Sequence, residues 1–293
     1  MELPADIADL HAAWLHRGRF VSLAEGHRIF AVQEGHGPDI VLVHGFPSTS
    51  HDFAAVLPLL TSRFRVTTWD HLGFGFSDKP AGSVSYSLLD QGRRAGEIMR
   101  ALGVEHGRVV GHDMGLTVAV EMLCRHAVGT LGAGMDTLVL CNGSHLVELA
   151  NLTPFQHAIM TDDGAAAFAR TFDPEVFAQG LRFVWADPTR TPAVDIRAIA
   201  YWMALNNGLD ILGRIARYNI ERREYAERWR SILGRAGIGI SIVWGDRDPI
   251  AVIEIGRRLA EMSGGPLRVL EGVGHYPQME APAAWVEAVT RDW

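Results

Sequence analysis

Asp113 stands in the run V-V-G-H-D-M-G, residues 109–115, where a strand-like pattern gives way to a helical one. Gly111 and Gly115 flank it, as a turn too sharp for neighbouring side chains requires. Such a turn lifts the central side chain above the sheet, beside the free N–H groups of the next helix. Those donors suit negative charge developing on oxygen. Aspartate is also a good helix N-cap, so the frame alone carries two meanings. Two further stretches add chemistry. W-G-D-R-D-P, residues 244–249, puts Asp246 and Asp248 just past a strand, and G-V-G-H-Y-P, residues 272–277, puts His275 in a glycine-rich loop past the last strand. A turn carboxylate, an acid and a histidine, in that order and each at a strand's carboxyl end, make a set of nucleophile, orienting acid and base.

A carboxylate in the nucleophile's place changes the bond that can be attacked. With an ester or amide it would give an anhydride less stable than the starting material. At a saturated carbon it can displace a leaving group, giving an alkyl ester that water hydrolyses at the aspartate's own carbonyl. The turn therefore predicts an electrophilic sp³ carbon, in an epoxide or an alkyl halide. Because an aspartate is ionised at neutral pH, His275 is expected to activate that water, with an acid holding its tautomer.

These residues need a scaffold that brings strand ends together. Short apolar runs alternate with helical patterns, which predicts a mostly parallel sheet flanked by helices. R-F-V-S-L-A-E-G-H-R-I-F-A-V-Q-E-G reads as a leading antiparallel hairpin turning at Gly26; D-I-V-L-V, F-R-V-T-T-W, R-V-V-G-H, D-T-L-V-L-C, I-S-I-V-W-G and L-R-V-L read as further strands. Leu88, Ala95, Ile98, Met99 and Leu102 predict an amphipathic helix over 87–102. Trp285, Val289 and Trp293 are expected in the core on a closing helix. From 144 to 236 the strand pattern stops and helical runs follow. The expected organisation is a core of residues 1–143 and 237–293 with a helical cap inserted at 144–236, over the strand ends where ligands of such sheets bind.

H-G-F-P at 44–47, G-F-G-F-S-D-K-P at 73–80, G-H-D-M-G at 111–115 and G-H-Y-P-Q-M-E at 274–280 resemble the epoxide hydrolase and haloalkane dehalogenase branch of the α/β-hydrolases. The second and fourth of these, with Y-N-I-E-R-R at 218–223, are closest to its mesoderm-specific transcript subgroup. The resemblance implies an α/β-hydrolase fold with Asp113, His275 and Asp248 as the triad, Asp246 being the competitor for the acid. It further implies an oxyanion hole from the N–H groups of Phe46 and Met114, with His44 bracing that loop.

Epoxide and halide need different help. A halide needs N–H donors that keep their protons. Dehalogenases of the branch supply an indole directly after the nucleophile and an asparagine at the position of Phe46; here Met114 and Phe46 stand there, which leaves Trp185 or Trp202 as indole donors. An epoxide needs a proton for its opening oxygen, which the branch supplies from cap tyrosines. Tyr218 matches the late cap tyrosine, Tyr201 beside Trp202 reads as a packed pair near the substrate, and His157 stands near the position of the missing early tyrosine. The expected function is an epoxide hydrolase giving a vicinal diol, the alternatives being a haloalkane dehalogenase and a ligand-binding protein without turnover. Phe155, Met160, Phe168, Phe183, Trp185, Trp202 and Met203 suggest an apolar lining for a small lipophilic substrate.

Bulk composition narrows the rest. A net charge of −7 and the lack of a basic stripe argue against nucleic acid. No histidine pattern of a metal site occurs, and no cofactor or metal is expected. Cys124 and Cys141 are expected to be buried thiols in a reducing compartment. The N-terminus does not read as a signal peptide and no run suits a membrane span, so a cytoplasmic protein is expected, with a homo-oligomer left open.

Overall fold

A computed structural model of the protein describes residues 2–293. Eight strands form one sheet: β1 Gly18–Ser22, β2 Arg28–Glu34, β3 Asp39–Val43, β4 Arg65–Trp69, β5 His106–His112, β6 Gly134–Cys141, β7 Gly239–Gly245 and β8 Leu267–Leu270. Their order is β1-β2-β4-β3-β5-β6-β7-β8. The β1–β2 and β2–β4 pairings are antiparallel and the other five parallel. The turn of the leading hairpin holds Gly26 at φ 86°, a conformation glycine adopts without strain.

The inner strands are apolar at nearly every position because helices cover both faces. Val41 and Val43 of β3, Val109 of β5 and Leu138 and Leu140 of β6 enter one core layer. Their neighbours Ile40, Leu42, Val110, Val139 and Cys141 enter the other, as the two-residue period of a strand dictates. Both cysteines are buried. The helix expected over 87–102 spans Leu88–Ala101, capped by the Ser87 side chain on the Asp90 N–H. The closing helix ends at Thr290, so Trp285 and Val289 lie in the core while Trp293 follows it and packs edge-on to Phe64 at 5.8 Å.

Between Cys141 and Gly239 the described chain makes helices and no strand. Thr153, Thr161 and Asp173 cap the helices Pro154–Ile159, Asp162–Thr171 and Pro174–Leu181 through side-chain oxygens. After helix Ala193–Ala204, Asn206 and Asn207 in left-handed conformation break the helical run. Helix Tyr218–Glu224 then leads to helix Ala226–Leu233, which is tied to the core: fully buried Glu121 accepts from Arg228 at 2.8 Å and from the Trp229 indole at 2.9 Å.

An N-terminal helix, Ala5–Arg17, was not apparent in the sequence pattern. It packs on helix Ala193–Ala204, with Ile7 and Trp14 sharing a core layer with Ala198, Tyr201 and Trp202. No helix among the described residues is long and apolar enough to cross a membrane.

Candidate active site

Strand order alone assembles the site. β3, β5, β6, β7 and β8 are consecutive neighbours, and Phe46, Asp113, Asn142, Asp248 and His275 lie on the segments that follow them. Asp113 sits at φ 51°, a left-handed conformation costly for a residue with a side chain. Its surroundings impose it. The Asp113 N–H donates to the Cys141 carbonyl at 3.2 Å, and its own carbonyl accepts from Arg222 Nη2 at 3.0 Å. Glycine is required on both sides, because a Cβ on Gly111 would meet the backbone of Gly115 and Leu116 and one on Gly115 that of Val43 and His44. The carboxylate makes no capping bond to the helix Met114–Ala127 behind it. Its Oδ2 instead accepts from the Phe46 N–H at 2.7 Å. Met114 opens that helix, so its N–H has no partner within it.

His275 faces this carboxylate. Its Nδ1–H donates to Asp248 Oδ2 at 2.7 Å, leaving Nε2 3.9 Å from Asp113 Oδ1, too far for a hydrogen bond. Asp248 is fully engaged: Oδ2 also accepts from Asn142 Nδ2 at 2.9 Å, and Oδ1 from the N–H groups of Ile250 and Ala251 at 2.9 Å each. Asp246 accepts from the Gly272 N–H at 2.7 Å and is a turn residue. Burial opposes charge on His275, but Asp248, then Asp113 and Glu280, outweigh it and lift the imidazole to about 9.

Two other histidines brace the backbone. His112 Nε2–H donates to the His275 carbonyl at 2.7 Å; burial, then His275, push its own pKa down to about 4, so it stays a neutral strut. His44 bonds the Gly45 carbonyl at 2.8 Å through Nδ1 and accepts the His71 N–H at 3.0 Å, which is the bracing expected of it. The His275 loop is also bound to the inserted segment. The His275 N–H donates to the Val184 carbonyl at 2.9 Å, and Glu280 accepts from the N–H groups of Ala186 and Gly274 at 3.0 Å each.

Asp113 and His275 open onto a cavity of about 710 Å³, lined mainly by apolar groups of the insertion: Phe155, Phe168, Phe172, Phe177, Leu181, Phe183 and Val184, with Phe46, Ile250 and Tyr276 from the core. Among the described residues, no lysine or arginine lines it.

Of the sequence candidates, Asp113, His275, Asp248 and the Phe46 N–H converge, and Phe155, Phe168 and Phe183 line the cavity. Tyr218, expected at the substrate, is not part of the cavity lining: it stands directly behind Phe46, ring centroids 5.5 Å apart, under the Arg222 guanidinium at 4.8 Å. Burial and then the charge of Asp113 raise its phenol to about 12.

Six further residues expected at the substrate lie elsewhere. His157 is exposed, and its helical neighbour Gln156, about 100° away around the axis, lines the cavity instead. Tyr201 turns from the cavity and donates its hydroxyl to Glu175 Oε1 at 3.0 Å. Trp202 packs 5.0 Å from Phe76 and 5.2 Å from His51, claimed by the side of the insertion that meets the N-terminal helix. Trp185, Met160 and Met203 are likewise absent from the lining, Trp185 being stacked on Tyr276.

Asn142, His112, Arg222 and Glu280 also belong to the site, and their residue types do not single them out in the sequence. Arg222 and Glu280 lie within the quoted runs Y-N-I-E-R-R and G-H-Y-P-Q-M-E, and His112 adjoins Asp113. Asn142 had only its position past a strand as a signal.

Comparison with known proteins agrees with this architecture. The family described as alpha/beta hydrolase fold matches residues 38–282. A protein named as a hydrolase, LipZ of Mycobacterium tuberculosis (strain ATCC 25618 / H37Rv), is 35% identical over 276 residues, covering 94% of this chain and 95% of its own. The mesoderm-specific transcript protein of Mus musculus is 31% identical over 301 residues, covering 97% and 88%. Among solved structures, the epoxide hydrolase CorEH superposes with a TM-score of 0.76 over 94% of this chain and 97% of that one; at 18% identity the likeness is one of fold.

Proposed function

The chain belongs to the alpha/beta hydrolase fold family, and we propose that within it the protein opens a small lipophilic epoxide to a vicinal diol through an ester on Asp113. One observation carries this. The Asp113 carboxylate offers two differently placed oxygens, Oδ2 on the Phe46 N–H and Oδ1 facing the cavity beside His275.

Oδ1 attacks a ring carbon, the carbon–oxygen bond breaks, and Tyr218, which packs on Phe46 just outside the lining, supplies a proton to the freed oxygen once the Phe46 ring shifts to admit it. Oδ2 becomes the ester carbonyl, already seated on the Phe46 N–H, and the Met114 N–H, free at the start of its helix, is the second donor the oxyanion would draw on. The 3.9 Å between Oδ1 and His275 Nε2 leaves the histidine free to direct water at the ester carbon, and the resulting oxyanion forms on Oδ2. Alkylation itself prepares this step. The ester carries no charge, so one of the influences that lift His275 to about 9 disappears and the imidazole becomes a readier base. Asp248 steadies the imidazolium that follows.

The lining supports epoxide over halide. It contains no indole or guanidinium to grip a halide or a substrate carboxylate, and Met114 and Phe46 have no side-chain N–H. The test is a single turnover in ¹⁸O water with an epoxide panel. Diol release with ¹⁸O entering the Asp113 peptide is expected, and Asp113→Ala should abolish it. Halide release from bromoalkanes without any diol would make the protein a dehalogenase, and stoichiometric binding alone a binding protein.

A further inference from the structure

We propose that Tyr276 is a second proton donor for the opening epoxide, supplied through the Ser48 hydroxyl from the buried acid Asp52. The proposal rests on the epoxide reading above and fills the role for which His157 is misplaced. Tyr276 follows His275 in sequence and lines the same cavity as Asp113. Its ring is held from three directions: stacked on Trp185 at 4.9 Å and 20°, edge-on to His275 at 5.1 Å, and 5.3 Å from His112. A ring fixed in this way aims its phenol at one place. That place lies by the Ser48 hydroxyl, within reach of the charge of Asp113.

Ser48 is hydrogen-bonded in turn to Asp52 Oδ2. Asp52 is 2% exposed and, among the described residues, forms no ion pair. A buried carboxyl without a cation is unusual unless it is neutral. Burial, with Asp113 and Asp70 adding to it, raises its pKa well above the ordinary carboxylate range despite the Ser48 bond and the more distant charge of His275. The Tyr276 phenol is raised as well, first by burial, and keeps its proton at neutral pH. The Ser48 hydroxyl donates to Asp52 Oδ2 in this arrangement; with Asp52 neutral, that bond reverses when Ser48 turns its proton toward Tyr276, and the three O–H groups then form a row that donates forward.

The proton balance closes. As Asp113 Oδ1 bonds to carbon, the ring carbon–oxygen pair stays on oxygen. That oxygen takes the Tyr276 proton, Tyr276 takes that of Ser48, and Ser48 takes that of Asp52, leaving a carboxylate. Hydrolysis of the ester by one water returns Asp113 as carboxylate, completes the diol and leaves one proton, held first by His275. That proton restores Asp52. The sum is one epoxide and one water to one diol.

The experiment is rapid-quench mass spectrometry of the whole protein with styrene oxide, timing adduct formation and adduct loss separately. Tyr276→Phe keeps the stacked ring and should slow adduct formation about 10²-fold, the reach of one general acid, with adduct loss unchanged within about twofold. Ser48→Ala, which leaves the phenol in place, should slow the same step about tenfold. Equal rates of adduct formation in wild type and both variants, or equal slowing of both steps, overturns the proposal while the epoxide reading stands. No adduct in the wild type brings both down. If Tyr276→Phe does not fold, the selective loss must appear in Ser48→Ala alone, and unchanged rates there overturn the relay.

Discussion

The floor and the ceiling of the cavity are built by opposite means. On the floor, the Asp248 carboxylate accepts four hydrogen bonds, and His275 is fixed through its ring, its amide and its carbonyl. The ceiling is a cluster of phenylalanines, Phe155, Phe168, Phe172 and Phe177, with ring centroids 4.7–5.7 Å apart. Hydrogen bonds are directional, and a saturated buried network admits one arrangement. Apolar contacts are not directional, so a ceiling of rings can repack around differently shaped guests at little cost. On the proposed reading, the difference gives bond-making to the floor and the choice of substrate to the ceiling.

The largest expected effect comes from the floor. His275→Gln should lower kcat about 10³-fold, within the range of a lost general base, while alkylation continues. Intact-mass measurement should then find an adduct persisting on Asp113; lost turnover with no adduct would mean that the floor does not divide its labour in this way. A smaller effect comes from acidity. With His275 at about 9 in the free protein, neutral imidazole grows as pH rises, so adduct hydrolysis should increase about tenfold per unit through an acidic limb. Because the ester is uncharged, that limb should level off below 9. A limb centred at 9 or higher would show that the charge of Asp113 does not reach the imidazole. The smallest effect belongs to the ceiling. Phe168→Ala should raise KM for a small aryl epoxide about tenfold, with kcat within about twofold, as a loss of uniform binding would. A large fall in kcat would break the division between floor and ceiling.

The same contrast explains which parts could be anticipated from the amino acids. The turn at Asp113, the aspartate at 248 and the histidine at 275 depend on local rules: strand, glycine, then a polar residue at a strand end. The parallel order of the inner strands then brings them together without further information. The ceiling depends on helix rotation, which local rules do not determine. A-V-D-I-R-A-I-A-Y-W-M-A is apolar around most of its circumference, so its periodicity does not choose the face that meets the cavity. The N-terminal helix chooses it by covering Trp202, a long-range contact that the periodicity of this segment does not encode. His157 and Gln156 differ by a single step along one helix. Long-range partners such as Asn142 with Asp248, or Arg222 with the carbonyl of Asp113, span about a hundred residues or more and leave no local pattern.

The amide of His275 is tied to Val184, and the Ala186 amide two residues further on is held by Glu280. The middle of the inserted segment, from Val184 to Ala186, is therefore anchored on the very loop that presents the imidazole. A swing there would drag the imidazole out of line. Helices Asp162–Thr171 and Pro174–Leu181 make no hydrogen bond to the sheet or its strand-end loops among the described residues. Traffic in and out is expected to pass beneath those two helices, which can breathe while the machinery below stays in register.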